Sequence, residues 1–318
     1  MELNENANLD TSQVEDLRGS TGGGGGFGGG FGRGGGGGIP IPLPSGGGGW
    51  IGLILTIVVL VGGAIFGGAN LLGGGGGNQT PDNNNLDQKC AASNPNRFQE
   101  VDCRNLLYVN SVQAYWRTAL PQTFGTQYQQ APTDFFSGQV QTGCGAADSG
   151  VGPFYCPPDR KVYIDLTFYN ELSQRFGASG EFAAPYVIAH EYGHHVQNLV
   201  GTADQVNRAQ QRDPGNANRY SVMLELQADC YAGVWAKFAT TTTDAGGQPL
   251  FKSITDADIQ QAVETAEAIG DDTIQQKAGM QVNPDKFTHG TSAQRKQWFL
   301  RGYQSGDPKR CDTFTAGV

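Results

Sequence analysis

The sequence has few basic residues and few long hydrophobic runs, and each shortage excludes a class of protein. Its 21 Lys and Arg residues are outnumbered by 30 Asp and Glu residues, which gives a net charge of −9. A nucleic-acid partner is therefore excluded, because no basic surface is available to neutralise phosphates. The sequence has only one apolar run long enough to cross a membrane, which excludes a membrane-embedded protease with several spans.

Two familiar motifs are missing as well. No two cysteines have the Cys-x-x-Cys spacing of a structural zinc site. The Gly-rich stretch is not followed by Gly-Lys-Ser/Thr, so it does not form a phosphate-binding loop. Glycine is unevenly distributed, with 29 of the 49 residues in positions 1–77. The chain therefore combines a Gly-rich leader with a domain of ordinary composition.

The leader predicts disorder followed by a membrane span. Residues 1–49 are acidic and then Gly-rich, and we expect a disordered segment because such a composition buries little apolar surface. Residues 50–69 form an uncharged apolar run, which suits one transmembrane helix. The alternatives are a buried soluble helix and a cleaved signal peptide, and the long acidic and Gly-rich stretch ahead of the run disfavours the latter. Residues 70–89 are predicted to be a linker, and residues 90–318 the folded domain.

Charge and cysteine content predict a single-pass protein with its C-terminal domain outside the cytoplasm, in the periplasm or extracellular space. Arg18 and Arg33 precede the apolar run and no basic residue follows before Lys89, so the positive-inside rule keeps the N-terminus cytoplasmic. All six cysteines follow the run, which favours an oxidising compartment over six reduced thiols in a cytosolic domain. Fifteen pairings are possible. Short local loops favour Cys90–Cys103 and Cys144–Cys156, with Cys230–Cys311 as the third pair.

The domain is predicted to be α+β, mostly helical with a small sheet. Helical periodicity occurs at Arg104–Leu120, Ala183–Leu199, Tyr220–Ala239, Asp256–Ile269 and Ser292–Gly302, where Ser292 is the candidate N-cap. Alternating β-branched and aromatic residues predict a strand at Lys161–Phe168. Residues 123–160 are predicted to form an irregular loop with short strands, and residues 201–219 a loop.

Three of the four histidines lie in the sequence HEYGHH at 190–195, which contains the motif His-Glu-x-x-His. On a helix, His190 and His194 lie on one face and are spaced to bind one Zn²⁺. Glu191 is then close to the metal and suits a general base that takes a proton from bound water. The alternative is a polar helix face whose histidines form ordinary hydrogen bonds.

A second pair of polar residues supports the metal hypothesis. Glu225 and Asp229 are also four residues apart, in an otherwise apolar helix where unpaired carboxylates are costly. We expect Glu225 to be the third metal ligand and Asp229 to accept the hydrogen bond of the His190 ring. The alternative is a solvated acidic face.

Three further positions have weaker assignments. Val162–Leu166 is the candidate edge strand that pairs with an extended peptide, the alternative being a core strand. His195 points away from His194 and is expected to have a structural or supporting role. His289 is expected to donate a hydrogen bond to a tetrahedral oxyanion, although a capping or surface role fits equally well.

The segments HEYGHHVQNL and ELQADCYAGVW resemble the putative neutral zinc metallopeptidases, a family of membrane-anchored bacterial proteins. The resemblance extends over residues 80–310, through GPFYCPPDRKVYIDLTF, AIGDD and THGTSAQRKQWFLRGY. It implies a zincin-like fold with zinc at His190, His194 and Glu225 and with Glu191 as base. The chain lacks the His-x-x-Gly-x-x-His extension of metzincins, so the resemblance within zincins is to the glutamate-ligand class.

The expected function is zinc-dependent hydrolysis of a peptide or protein substrate, with the chain held at the membrane by residues 50–69. The alternative is a non-catalytic, membrane-tethered zinc-binding or protein-interaction domain. Glu191 discriminates between the two, because a structural zinc site does not need an unbound carboxylate beside the metal.

Overall fold

The computed structural model describes residues 1–18, 80–178 and 180–316. The predicted membrane span at residues 50–69 lies outside these ranges. Within them, no helix is both long enough and apolar enough to cross a bilayer.

The described residues form ten α-helices. These are α1 Asn84–Cys90, α2 Val101–Phe124, α3 Phe168–Phe176, α4 Ala183–Leu199, α5 Thr202–Arg212, α6 Ala217–Phe238, α7 Asp256–Ala268, α8 Asp271–Lys277, α9 Ser292–Ser305 and α10 Thr313–Ala316. The same residues form eight strands, which are β1 Glu2–Leu3, β2 Val14–Asp16, β3 Thr133–Phe136, β4 Gln139–Thr142, β5 Gly145–Asp148, β6 Phe154–Cys156, β7 Lys161–Asp165 and β8 Phe251–Ser253. The prediction of an α+β, mostly helical domain is confirmed.

Helix α4 has the predicted bounds, whereas the prediction of a loop at residues 201–219 is wrong. Gly201 takes a positive φ of 81°, which ends the preceding turn, and α5 follows at once. The helix is strongly polar, but Ala203 and Val206 lie on one face and are buried. This narrow apolar stripe is enough to hold α5 against the domain. Ser292 is not the N-cap of α9, because Thr291 accepts from the backbone N–H of Gln294 in a capping box.

The main sheet has the strand order β2-β3-β7-β6, with β6 antiparallel to β7 and the other pairs parallel. The strand predicted at Lys161–Phe168 is present as β7, and the chain turns into α3 after it. The prediction that Val162–Leu166 is an edge strand is wrong. Both sides of β7 are already paired, so its backbone has no free edge for a peptide. The edge on the α4 side is β6.

Residues 1–18 are ordered, so the prediction of disorder over residues 1–49 is wrong for this part. Strand β1 pairs with β8, and β2 pairs with β3. Composition misled the prediction because this segment adds strands to sheets formed elsewhere and needs little apolar surface of its own. Helix α1 likewise begins within the predicted linker at residues 70–89, where Leu86 is buried in the core.

All three predicted disulfides are present, joining Cys90 to Cys103, Cys144 to Cys156 and Cys230 to Cys311. Helices α6 and α9 cross in close contact at two glycines. A Cβ atom on Gly302 would overlap the carbonyl oxygen of Cys230, and one on Gly233 would overlap that of Phe299. Close packing of these helices brings Arg295 of α9 next to Asp229 of α6.

Candidate metal centre

The predicted ligands lie together on two neighbouring helices. Helix α4 carries His190, Glu191 and His194, and α6 carries Glu225. The helices approach closely because Gly193 has no side chain, since a Cβ atom there would lie 3.0 Å from the Cα of Ala228. The spacing of four residues on α4 and this close approach bring three donor groups to one point.

Three candidate ligand atoms form a compact cluster. The Nε2 atoms of His190 and His194 are 3.2 Å apart. Glu225 places Oε2 3.2 Å from Nε2 of His190 and Oε1 3.3 Å from Nε2 of His194. His190 and Glu225 are buried, and His194 is half-buried. Two imidazoles and one carboxylate are the donor set of a catalytic zinc site that keeps one position open, so these residues fit the metal.

The outer nitrogen of each imidazole has its own acceptor. Nδ1 of His190 donates to Oδ1 of Asp229 at 2.8 Å. Nδ1 of His194 donates to Oε1 of Gln197 at 2.9 Å, and Gln197 itself donates to the carbonyl of Leu224 at 2.7 Å. A proton held on Nδ1 leaves the Nε2 lone pair directed at the cluster, which is the tautomer that binds a metal.

Asp229 is the centre of a buried hydrogen-bond network. Besides His190, it accepts from Tyr186 Oη at 2.6 Å and from Arg295, whose Nε and Nη2 lie 2.8 and 2.9 Å from its two oxygens. The bidentate guanidinium fixes the plane of the carboxylate. Both oxygens of Asp229 are therefore occupied behind His190, and Asp229 does not belong to the ligand cluster.

Without a bound cation, the carboxylates around the cluster favour protonated imidazoles. Burial raises the pKa of the Asp229 carboxyl, but Arg295 and His190 outweigh it and bring that pKa to about 2. Burial also opposes ionisation of Glu225, yet the two histidines hold its pKa well below the usual range. Burial lowers the pKa of His190, but Asp229 and Glu225 outweigh it and raise that pKa to about 10. Burial also opposes protonation of His194, and Glu225 raises its pKa in the same way. A divalent cation would replace the protons on these rings as the counter-charge to the carboxylates.

Glu191 is buried beside the cluster but does not belong to it. Its pKa is raised, chiefly by burial, and lowered in part by the neighbouring histidines. The backbone N–H of Tyr155 in β6 also contributes to lowering this pKa. Glu191 therefore lies close to both the ligand cluster and strand β6.

His289 lines the same cavity as the cluster, opposite α4. Its Nδ1 donates to Oδ1 of Asp271 at 3.0 Å. The other oxygen of Asp271 accepts from the backbone N–H groups of Thr288, His289 and Gly290 at 2.7, 2.7 and 3.1 Å. Asp271 therefore fixes both the turn and the ring, so that Nε2 is left for the cavity.

His195 lies away from the cluster. Its Nε2 donates to the carbonyl of Gln129 at 2.6 Å, and Tyr155 Oη lies 3.0 Å from Nδ1. Burial lowers its pKa to about 4, so the ring is neutral at pH 7. His195 joins α4 to β6 and to the chain before β3.

The cavity beside the cluster has a volume of about 90 Å³ and mostly apolar walls. The apolar residues are Val151, Phe168, Phe176, Val187, Ile269 and Ile274. For comparison, a cavity of roughly 150 Å³ holds a benzene molecule. The space suits one apolar side chain next to the metal centre.

Sequence reasoning missed Arg295, Tyr186 and Asp271 as members of the site. Asp271 and Arg295 fall in the segments AIGDD and THGTSAQRKQW, which carry part of the resemblance. The available signal for these residues was the presence of several charged side chains in segments that otherwise pack in the core. Their partners became visible only once α7–α9 were placed against α6.

Fold and site together define an α+β protein with a candidate His-His-Glu metal centre of the His-Glu-x-x-His type. The chain belongs to the family described as "Putative neutral zinc metallopeptidase", whose sequence model matches residues 4–314.

Two bacterial relatives support this assignment. The chain is 50% identical to uncharacterized protein Rv2575 of Mycobacterium tuberculosis over 233 residues, which cover 73% of this chain and 76% of the relative. It is 41% identical to uncharacterized protein YpfJ of Escherichia coli K12 over 268 residues, which cover 84% and 88% respectively. No solved structure matches the chain.

Proposed function

We propose that this protein is a zinc-dependent peptidase, with zinc held by His190, His194 and Glu225. The observation that carries the proposal is the convergence of these three donor groups beside Glu191, a buried carboxylate outside the ligand cluster. Bound zinc would lower the pKa of a water molecule and polarise the scissile carbonyl.

The protein's own residues supply proton transfer and orientation in this proposal. Glu191 takes a proton from the attacking water and passes it to the leaving amine, and its raised pKa suits both steps. His289, held by Asp271, donates a hydrogen bond from Nε2 to the tetrahedral oxyanion. Asp229 and Arg295 keep the His190 ring in its binding orientation.

The proposed substrate is an extended peptide with a small or medium-sized apolar residue beside the scissile bond. Residues 150–153, which lead into β6, line the cavity beside Glu191 and offer backbone groups to an extended peptide. The apolar cavity accepts the side chain. A non-catalytic zinc-binding domain is the second candidate, but the ligand cluster leaves an open metal position, since Asp229 is fully engaged elsewhere.

We also propose that the domain acts outside the cytoplasm and is held at a membrane through residues 50–69. Three disulfides support the compartment, because such bonds persist where thiols are not kept reduced. The composition of the apolar run supports the anchor.

The test measures zinc content and peptide cleavage on the purified full chain. Wild type and Glu191→Gln are expected to hold about one zinc per chain, whereas His190→Ala loses it. Glu191→Gln is expected to lose cleavage of a peptide library by about 10²–10⁴-fold, the usual contribution of a general base. Glu264→Gln, on the exposed face of α7, is the matched control and keeps both properties. Cleavage by Glu191→Gln at the wild-type rate would remove Glu191 from the mechanism.

A further inference from the structure

The N-terminal segment, defined as residues 1–18, is built into the domain by its backbone. Strand β2 extends the main sheet by pairing with β3, and Leu17 donates its backbone N–H to the carbonyl of Phe135 at 2.8 Å. Strand β1 pairs with β8 at another side of the molecule. The segment therefore completes two separate sheets of the domain.

Buried polar groups of the domain depend on the N-terminal segment for their partners. Arg97 is 2% exposed, and its Nη2 donates to the carbonyls of Ala7 and Glu5 at 2.6 and 2.8 Å. Gln113 is fully buried and donates to Oε1 of Gln13 at 2.9 Å. Removing the segment would deprive these buried donors of the acceptors that it supplies.

Apolar packing and ion pairs complete the contact. Ala7 and Val14 are buried in the main core of the domain. Glu15 pairs with Lys161 at 2.6 Å, and the N-terminal ammonium group pairs with Asp258 at 2.5 Å. The family match starts at residue 4, so most of the segment belongs to the region that the family shares.

This packing bears on how the chain is arranged at a membrane. A single crossing between residues 50 and 69 would place the N-terminal segment and residues 80–316 on opposite faces of the bilayer. Exchange of segments between copies would not restore the contacts, because every copy would have the same orientation. The packing and a single crossing therefore exclude each other.

We infer that the N-terminal segment lies on the same side of the membrane as the domain and is a structural part of it. A single crossing of the bilayer between the N-terminal segment and residue 80 is therefore excluded. The cytoplasmic N-terminus was predicted from two arginines. One of them, Arg18, is accounted for locally, since it binds Asp16 and Asp102 at 2.7 and 2.9 Å.

Zero-length crosslinking of the full chain in intact cells tests this inference. A carbodiimide joins a carboxylate to an amine only when the two are in contact. We expect an amide between Glu15 and Lys161, seen by mass spectrometry as tryptic peptide 1–18 joined to peptide 161–175. Only chains whose six cysteines resist alkylation without reduction are counted, which restricts the measurement to the oxidised, folded population.

A contact within the domain provides the internal standard. Lys296 lies 3.1 Å from Glu267, and both belong to residues 80–316. The two crosslinks are expected at yields within about threefold of each other, and Glu15→Gln is expected to abolish only the first. A standard crosslink at full yield with the 15–161 crosslink more than tenfold weaker would overturn the inference. This outcome is independent of zinc binding and of peptidase activity.

Discussion

At the scale of single residues, Asp271 is the group whose role the geometry defines most sharply outside the ligand cluster. One of its oxygens contacts the ring of His289, and the other accepts three backbone N–H groups. Burial opposes its ionisation, but these contacts, above all that with His289, hold its pKa below the usual value. The carboxylate therefore stays charged and can stabilise an imidazolium at the cavity wall.

The pair His289–Asp271 is expected to act as a unit in catalysis. Replacing His289 by Ala should lower kcat/KM by about 10²-fold with no loss of zinc, as expected when one oxyanion donor is removed. Asp271→Asn should cost less, and the double variant should be no worse than His289→Ala alone. Steady-state kinetics and zinc content check this, and additive losses in the double variant would contradict the coupling.

The burial of Asp134 predicts that the stability of the protein depends on pH. It is buried in β3, and its Oδ1 has no hydrogen-bond partner among the described residues. Burial raises its pKa to about 7, while Lys161 lowers it in part. Because the folded-state pKa lies above the unfolded value, protonation of Asp134 favours folding at acidic pH. That contribution is lost as pH rises towards 7.

Between pH 5 and pH 7.5, the unfolding free energy of the wild type should fall by about 1–2 kcal/mol more than that of Asp134→Asn. Urea denaturation at the two pH values measures the difference. Glu264→Gln, on the exposed face of α7, is the control and should show the wild-type slope. If the unfolding free energy of Asp134→Asn changes with pH as much as that of the wild type, Asp134 is not the cause of the pH dependence.

At the scale of elements, the contact of α6 with α9 holds Arg295 against Asp229. Gly302→Ala would force a methyl group into the backbone of Cys230. We expect a loss of about 2–4 kcal/mol in unfolding free energy and weaker zinc binding, because Arg295 moves with α9. Denaturation and zinc titration measure both. Gln304→Ala, at an exposed position of α9, is the control, and wild-type behaviour of Gly302→Ala would contradict the close contact.

The sequence predicted a helix or a site correctly where one local pattern was sufficient to determine it. The apolar pattern of α4 gave its bounds correctly, and the paired His190–His194 and Glu225–Asp229 spacings identified residues that the fold brings together. The sequence could not show which side of β7 was free, because sheet order depends on tertiary pairing. Sequence reasoning also missed helix α5, because only two of its residues are buried.

At the scale of the whole molecule, the packing of the N-terminal segment was beyond sequence reasoning for a related reason. Residues 1–18 contain few apolar side chains, and their backbone partners lie more than 100 residues away in β3 and β8. The composition of a segment does not predict strand pairing over such a distance along the chain. The cysteine pairing was predictable in contrast, because two short loops limited the choice.

The three disulfides are expected to stabilise the molecule unequally. Cys230 and Cys311 are 81 residues apart, whereas Cys90 and Cys103 are separated by 13. Chain-entropy arguments give about 4.5 kcal/mol for the longer loop and about 3 kcal/mol for the shorter. The longer crosslink also ties the C-terminal residues to α6, the helix that carries Glu225 and Asp229.

Replacing Cys230 and Cys311 together by Ala should therefore destabilise the chain more than the same change at Cys90 and Cys103. It should also weaken zinc binding, because α6 carries the proposed ligand Glu225. Loss of the Cys90–Cys103 bond at the start of α2 should leave zinc affinity unchanged. Denaturation of both double variants under non-reducing conditions, with zinc titration, separates the two effects. Equal losses of stability would contradict the loop-length argument, and equal zinc affinities would show that α6 keeps its place without the crosslink.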